Sequence, residues 1–247
     1  TKPIWALTSI PVPETPPNFK IAFIGDQGLG EKARAVLKLI KSEGAQAVLH
    51  LGDLDCDDDP AAWEAQINKI LGTDFPYFIS AGNHDVIKWY GEKGYQEYSQ
   101  KRLARLSIPW NGDLGVESSF RYKGIFFILI SPGDLGTGHD AYIKEQLAMD
   151  TSIWRICGWH RHTDFAQACD KKNDVRFNVY EEARKGGAII ATAHDHSYGR
   201  THLMNSFTNP SIATDLNTMV ITKGQTFAFF SGLAGRRTHT QKVNGPW

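Results

Sequence analysis

Five short clusters of metal-binding residue types occur along this sequence, each directly after a predicted strand. They are Gly25-Asp26-Gln27-Gly28, Gly52-Asp53, Gly82-Asn83-His84-Asp85, Gly158-Trp159-His160 and Ala193-His194-Asp195-His196. Because the carboxyl ends of strands in an open α/β sheet line one crevice, we expect these clusters to converge. Carboxylate, amide and imidazole donors together suit zinc, iron, manganese or nickel better than calcium. The sequence therefore predicts a transition-metal centre, with these ligands: Asp26, Asp53, Asn83, His160, His194 and His196.

Such a donor set favours phosphoester hydrolysis. One carboxylate can bridge two cations, and two cations about 3.5–4 Å apart clamp the attacking and leaving oxygens of a phosphoryl group. A metal-bound water then supplies hydroxide near neutral pH. A single Gly-Asp turn or a single buried histidine is usually only structural, so it is the serial order of the clusters that points to function.

Alternating elements in the first third of the chain would position three of these clusters. Apolar runs predict strands at 21–24, 47–51 and 77–80, and amphipathic patterns predict helices at 31–42 and 61–71. Strands that alternate with helices indicate a parallel sheet with crossover helices.

The rest of the chain is richer in strands. A hairpin is predicted from 119–123 and 125–130 around Gly124, followed by a helix at 142–147 and a strand at 153–158. A helix at 179–185, a strand at 188–193 and a closing pair of strands at 218–222 and 226–231 complete the pattern. The predicted fold class is α/β, a two-sheet β-sandwich flanked by helices.

Length and composition indicate one catalytic domain. Residues 1–18 contain five prolines, which predicts an extended lead-in, and residues 19–247 are long enough for a single α/β domain. Lys plus Arg and Asp plus Glu both number 27, so we expect no nucleic-acid partner and no anionic membrane partner. No apolar run approaches the roughly 18 residues of a membrane span, which predicts a soluble protein. A start at Thr1 fits removal of a secretion signal, with an extracytoplasmic location, or trimming of the chain.

The ordered clusters resemble the calcineurin-like metallophosphoesterases over about residues 20–235. Within that superfamily they are most similar to the purple acid phosphatases. Gly25-Asp26-Gln27-Gly28 resembles the Gly-Asp-x-Gly of that branch, and residues 194–200 resemble its His-x-His-x-Tyr-x-Arg. The resemblance implies a four-layer fold and two divalent or trivalent ions of iron, zinc or manganese.

The resemblance also implies how the ligands divide. A first half of the centre would hold one ion through Asp26, Asp53 and His196. A second half would hold the other ion, with Asp53 bridging, through these residues: Asp53, Asn83, His160 and His194.

Two further residues receive catalytic roles from the resemblance. His84 would stabilise the phosphate or act as general acid, and Asp85 would orient its ring. The implied substrate is a small phosphate ester, and the implied reaction is hydrolysis of phosphomonoesters by metal-bound hydroxide. Phosphodiester hydrolysis, including that of cyclic nucleotides, and a non-catalytic scaffold remain as alternatives.

The first half departs from the family pattern. Purple acid phosphatases have a tyrosine where this chain has Cys56, and other branches have a histidine where it has Gly28. Water, Asp55 or Cys56 would have to supply the missing ligand, although packing of Cys56 under the loop is the more common role. His162 replaces a frequent proline, and a surface position is the favoured interpretation. The aromatic residues of segment 87–115 would either line the crevice or pack in the core.

Overall fold

The computed structural model of this protein describes residues 14–163, 175–213 and 218–240. Its first sheet is parallel and has three strands. It forms in the order β1-β2-β3. Its elements are β1 (Ile21–Ile24), α1 (Glu31–Ser42), β2 (Ala47–Leu51), α2 (Pro60–Ile70) and β3 (Tyr77–Ser80). The crossover helices α1 and α2 are what parallel strands require.

The second sheet has seven strands in the order β4-β5-β6-β7-β8-β12-β9. Its strands are β4 (Trp110–Asp113), β5 (Glu117–Tyr122), β6 (Ile125–Ile130), β7 (Trp154–Gly158), β8 (Ile189–Thr192), β9 (Tyr198–Arg200) and β12 (Ala228–Ser231). The helices between them are α3 (Tyr95–Arg105), α4 (His139–Met149) and α5 (Phe177–Lys185). A separate antiparallel pair consists of β10 (Met204–Ser206) and β11 (Ser211–Ile212).

The two large sheets pack face to face with helices outside. Leu49 and Phe78 of the first sheet share one apolar cluster with Phe127 of the second. Helices α1 and α2 cover the outer face of the first sheet, while α4 and α5 cover the second. This confirms the predicted α/β sandwich with four layers. Among the described helices, none combines the length and apolar character that crossing a bilayer would need.

The predicted closing pair of strands is wrong. Residues 218–222 form no strand, and Thr222 makes only an isolated bridge to Gln225. Val220 is 60% exposed, so this apolar run has no sheet face against which to bury. Strand β12 pairs instead with β8 in parallel and with β9 in antiparallel register.

Segment 87–115 contains helix α3, which the sequence analysis did not predict. Trp89 and Tyr95 are fully buried, and they pack in the same cluster as Trp63 of α2. These two rings therefore belong to the core, whereas Tyr90 is 49% exposed. Of the predicted lead-in, residues 1–13 lie outside the described residues.

Candidate metal centre

The predicted ligands follow the carboxyl ends of strands from both sheets. Asp26, Asp53 and Asn83 come after β1, β2 and β3, while His160 and His194 come after β7 and β8. The structure brings four of them together in a buried cluster, with one ligand atom from each lying within 4.8 Å of the others: Asp26, Asp53, His160 and His194. Residues separated by up to 168 positions therefore meet at one point.

Three of these residues have a left-handed backbone. The φ angles are 61° at Asp26, 55° at Asp53 and 67° at His194. This region is sparsely populated by residues other than glycine, and such conformations cluster at functional sites. Hydrogen bonds between the loops stabilise this left-handed backbone. The His194 N–H donates to Asp26 Oδ2 at 2.9 Å, and the Gln27 N–H donates to the Asp53 carbonyl at 2.9 Å.

Two glycines allow the loops to approach closely. A Cβ atom at Gly52, which has a φ of 80°, would lie 2.7 Å from Gly82 Cα and 2.8 Å from His160 Cβ. A Cβ atom at Gly82 would lie 2.5 Å from Asp53 Oδ1. A larger residue at Gly82 would displace the Asp53 carboxylate, and one at Gly52 would displace Gly82 or His160.

Backbone carbonyls orient two of the imidazoles. His160 Nδ1 donates to the Leu51 carbonyl at 2.7 Å, and His196 Nδ1 donates to the Arg237 carbonyl at 2.7 Å. A carbonyl only accepts, so Nδ1 holds the proton and Nε2 is presented to the centre. His160 Nε2 lies 3.3 Å from Asp53 Oδ1, and His196 Nε2 lies 3.2 Å from Asp26 Oδ1.

The centre has an excess of buried negative charge. Burial by itself lowers the pKa of His160, but the charge and hydrogen bond of Asp53 outweigh it and raise that pKa to about 10. Burial likewise raises the pKa of Asp53, but the charge and hydrogen bond of His160 outweigh that effect and hold it well below its usual range. A proton on His160 thus compensates the carboxylates, a role that a bound cation would take over.

The residues present fit bound metal. Asp26 Oδ1 and Asn83 Oδ1 are buried, and neither has a hydrogen-bond partner among the described residues. Buried polar oxygens without partners are rare and costly, and a bound cation would satisfy both. Together with the two oriented Nε2 atoms, they form a mixed oxygen and nitrogen donor set.

His84 lies at the edge of this cluster. Its side chain is 53% exposed, and its Nε2 atom is 4.0 Å from Asp53 Oδ2. Its main-chain N–H donates to Asp53 Oδ1 at 3.0 Å, which fixes the residue beside the centre. An exposed imidazole in this position can reach a leaving group.

Asp85 has a different set of contacts from the predicted one. Its buried carboxylate accepts hydrogen bonds from the N–H groups of Gly82 and Asp53, both at 2.8 Å, and of Leu54 at 2.9 Å. These contacts assign Asp85 to the positioning of the ligand loops rather than to the His84 ring. Both oxygens of the Asp85 carboxylate are used in this way, because three N–H donors converge on them.

Asp55 and Cys56, the two candidates for the missing ligand of the first half, have different surroundings in the structure. The Asp55 carboxylate accepts from the Asp57 N–H at 2.8 Å and from the Tyr95 hydroxyl at 2.7 Å, so it stabilises its own loop. The Cys56 thiol instead lies in a group with the Asp53 carboxylate and the His84 imidazole, all within 4.8 Å of one another. Burial, reinforced by the Asp53 charge, raises the pKa of this thiol.

Two histidines near the centre differ from the sequence-based view. His162, favoured for the surface, is fully buried, and its ring centroid lies 5.7 Å from that of His194. His239, which received no role, stacks on His196 at 4.3 Å and contacts Asp195 at 3.1 Å. No sequence motif links His239 to this loop, because the contact joins residues 43 positions apart.

The chain belongs to the calcineurin-like phosphoesterase family, whose model matches residues 19–198. The buried Asp and His cluster supplies carboxylate and imidazole donors that suit a bound metal ion, in keeping with membership of this family.

The fold is similar to that of purple acid phosphatase PPD1 isolated from yellow lupin (Lupinus luteus) seeds, with a TM-score of 0.64 and 18% sequence identity. The match covers 93% of this chain and 46% of the lupin chain, so this chain spans about half the length of that protein. Among curated proteins, none matches this sequence.

Proposed function

We propose that this chain hydrolyses phosphomonoesters at a centre of two iron, zinc or manganese ions. The observation that carries this proposal is the buried cluster of Asp26, Asp53, His160 and His194, with the exposed His84 beside it. Oxygen and imidazole donors in one buried crevice suit such ions, and an exposed imidazole at the edge suits an acid that meets solvent and substrate.

The ligands divide between two halves that share Asp53. In the first half, His196 Nε2 faces Asp26 Oδ1 at 3.2 Å. In the second half, His160 Nε2 lies 3.3 Å from Asp53 Oδ1 and 3.0 Å from His194 Nδ1. When bound, the two ions would polarise the phosphoryl oxygens and lower the pKa of water.

The residues of the chain itself then have three tasks. The carbonyls of Leu51 and Arg237 keep the imidazoles of His160 and His196 in the required tautomer. The buried loops hold the ligands in place before substrate arrives. His84 donates a proton to the departing alcohol, a step that contributes typically about 10²- to 10⁴-fold.

A comparison of two nitrophenyl esters tests this function. The metal-replete protein should hydrolyse nitrophenyl phosphate with a higher kcat/KM than bis(nitrophenyl) phosphate. Asp53→Asn keeps the shape but removes the shared charge, so it should lose at least about a hundredfold in kcat. Asp74→Asn, an exposed carboxylate that is 72% accessible, is the matched control.

Two outcomes would contradict the proposal. A much faster diester rate would assign the centre to phosphodiesters, cyclic nucleotides included. Absence of bound metal under replete conditions, with neither ester hydrolysed, would support a non-catalytic scaffold whose metal site has decayed.

A further inference from the structure

The segment after β12 forms one wall of the first half of the centre. The Ala234 N–H donates to the Gly25 carbonyl at 3.0 Å, and the Arg236 N–H donates to the Asp26 carbonyl at 3.1 Å. The Arg237 carbonyl accepts from His196, as described above. These main-chain contacts place two consecutive arginines directly beside two predicted metal ligands.

A cavity of about 520 Å³ lies between this wall and the loop that follows β1. Its lining includes Gln27 and Gly28 on the loop side and Arg236, Arg237 and His239 on the wall side. His196 also lines it, so the cavity adjoins the first half of the centre. This volume lies within the range of about 300–1,000 Å³ that is typical of small-ligand sites.

The charge of this cavity is unbalanced. Both arginines are exposed, and in the part of the chain that the structure describes neither forms an ion pair. Asp57, the acidic side chain in the lining, is also exposed and pairs with neither of them. Arg236 Cδ lies 3.6 Å from where a Cβ atom would stand at Gly28, so its stem lies over the ligand loop. Guanidinium groups bind phosphate through paired donors, which makes such a pair an anion site.

We propose that Arg236 and Arg237 bind a second phosphate group on the leaving side of the substrate. This inference rests on the proposed function and deepens it. The scissile phosphate would occupy the metal centre, while the second phosphate would occupy the adjoining cavity. The substrate class is therefore phosphomonoesters that have another phosphate a few bonds away, such as bisphosphates of short diols.

Kinetics on a matched pair of substrates test the inference. We expect wild-type protein to have a higher kcat/KM for propane-1,3-diol bisphosphate than for propyl phosphate. In the variant Arg236→Gln/Arg237→Gln this ratio should fall about tenfold or more, mainly through KM, since each lost charged hydrogen bond costs about a factor of ten. Arg176→Gln, an exposed arginine at the N-terminus of α5 and outside the cavity lining, should keep the wild-type ratio. An unchanged ratio in the double variant would overturn the inference, whether both kcat/KM values stay the same or fall by the same factor.

Binding distinguishes this inference from the function on which it rests. Propane-1,3-bisphosphonate and propylphosphonate are not hydrolysed, so calorimetry on the metal-loaded protein measures their affinity without turnover. Wild-type protein should bind the bisphosphonate at least about tenfold more tightly, and the double variant should lose that advantage. If the affinities follow this pattern while no ester is hydrolysed, only the proposed function fails. If turnover occurs but the two phosphonates bind equally well, only the cavity assignment fails.

Discussion

His84 differs from the predicted ligands in its exposure and in its contacts. Asp26, Asp53, His160 and His194 are buried, whereas more than half of the His84 side chain is open to solvent at 53% exposure. Its main chain is nonetheless fixed, because its N–H donates to Asp53 at 3.0 Å. An imidazole that is anchored at the backbone and free at the ring suits proton transfer to a leaving alcohol.

We expect His84→Asn to impair only the departure of poor leaving groups. For phenyl phosphate, kcat should fall about 10²- to 10⁴-fold, because the alcohol then leaves without a proton. For dinitrophenyl phosphate, whose leaving group needs no proton, the loss should be much smaller. Steady-state kinetics on both esters check this, together with the metal content of the variant.

The matched control for this variant is His202→Asn, which changes a histidine outside the predicted ligand set. A loss of equal size on both esters would refute an acid role for His84. Release of metal from His84→Asn would instead make the residue a ligand.

Sequence motifs predict the ligands but not the groups that surround them. Asp26, Asp53 and His160 each follow a strand of clear apolar pattern, so their convergence could be predicted. His239 contacts the loop of His196 across 43 residues, and no pattern along the chain indicates such a contact. The tether made by Asp85 was equally hidden, because a carboxylate next to a histidine suggests an ion pair more readily than three backbone bonds.

Asp85 connects the loops that follow strands β2 and β3. Asp85, which follows β3, accepts N–H groups from Asp53 and Leu54, which follow β2. The left-handed backbone of Asp53 depends on this support, since such a conformation persists only when its surroundings enforce it.

Asp85→Asn should therefore loosen the centre without removing a ligand. The new amide would direct donors at backbone donors, so we expect the free energy of unfolding to fall by about 1–3 kcal/mol. Metal affinity should fall about 10- to 100-fold, as is usual when a group that orients a ligand is lost. Denaturant unfolding of the apo protein and calorimetric metal titration measure the two effects.

Asp59→Asn provides the comparison for that variant. Asp59 caps helix α2 by accepting from the Ala62 N–H at 2.9 Å, and asparagine caps equally well. If Asp85→Asn matched this control in both stability and metal affinity, the tethering role would be wrong.

Elements with strong local patterns matched the predicted bounds closely, while others did not. The bounds of β1, α1 and β2 follow from short apolar runs and a clear helical face. No apolar stripe marks helix α3 in the sequence, because two of the four residues on its buried face, Ser99 and Arg102, are polar. In the structure the Tyr95 ring lies in the core beside Trp63, a tertiary contact between α3 and α2 that local pattern does not indicate.

For the whole molecule, the packing of two sheets creates the site. Leu51 of β2 belongs to the first sheet, and His160 follows β7 of the second, yet they share a hydrogen bond of 2.7 Å. The apolar cluster between the sheets holds these strand ends in register. The sandwich could be predicted from the order of the elements, but the partners of β12 could not, because β12 pairs with two strands that lie far from it in the sequence.

Anomalous diffraction from crystals of the metal-replete protein, recorded at the absorption edges of iron, zinc and manganese, tests the proposed metal centre most directly. We expect two peaks about 3.5–4 Å apart with the Asp53 carboxylate between them. One peak should lie against Asp26 and His196, and the other against His160 and His194. A single peak, or peaks away from Asp53, would contradict the dinuclear centre on which the proposed function depends.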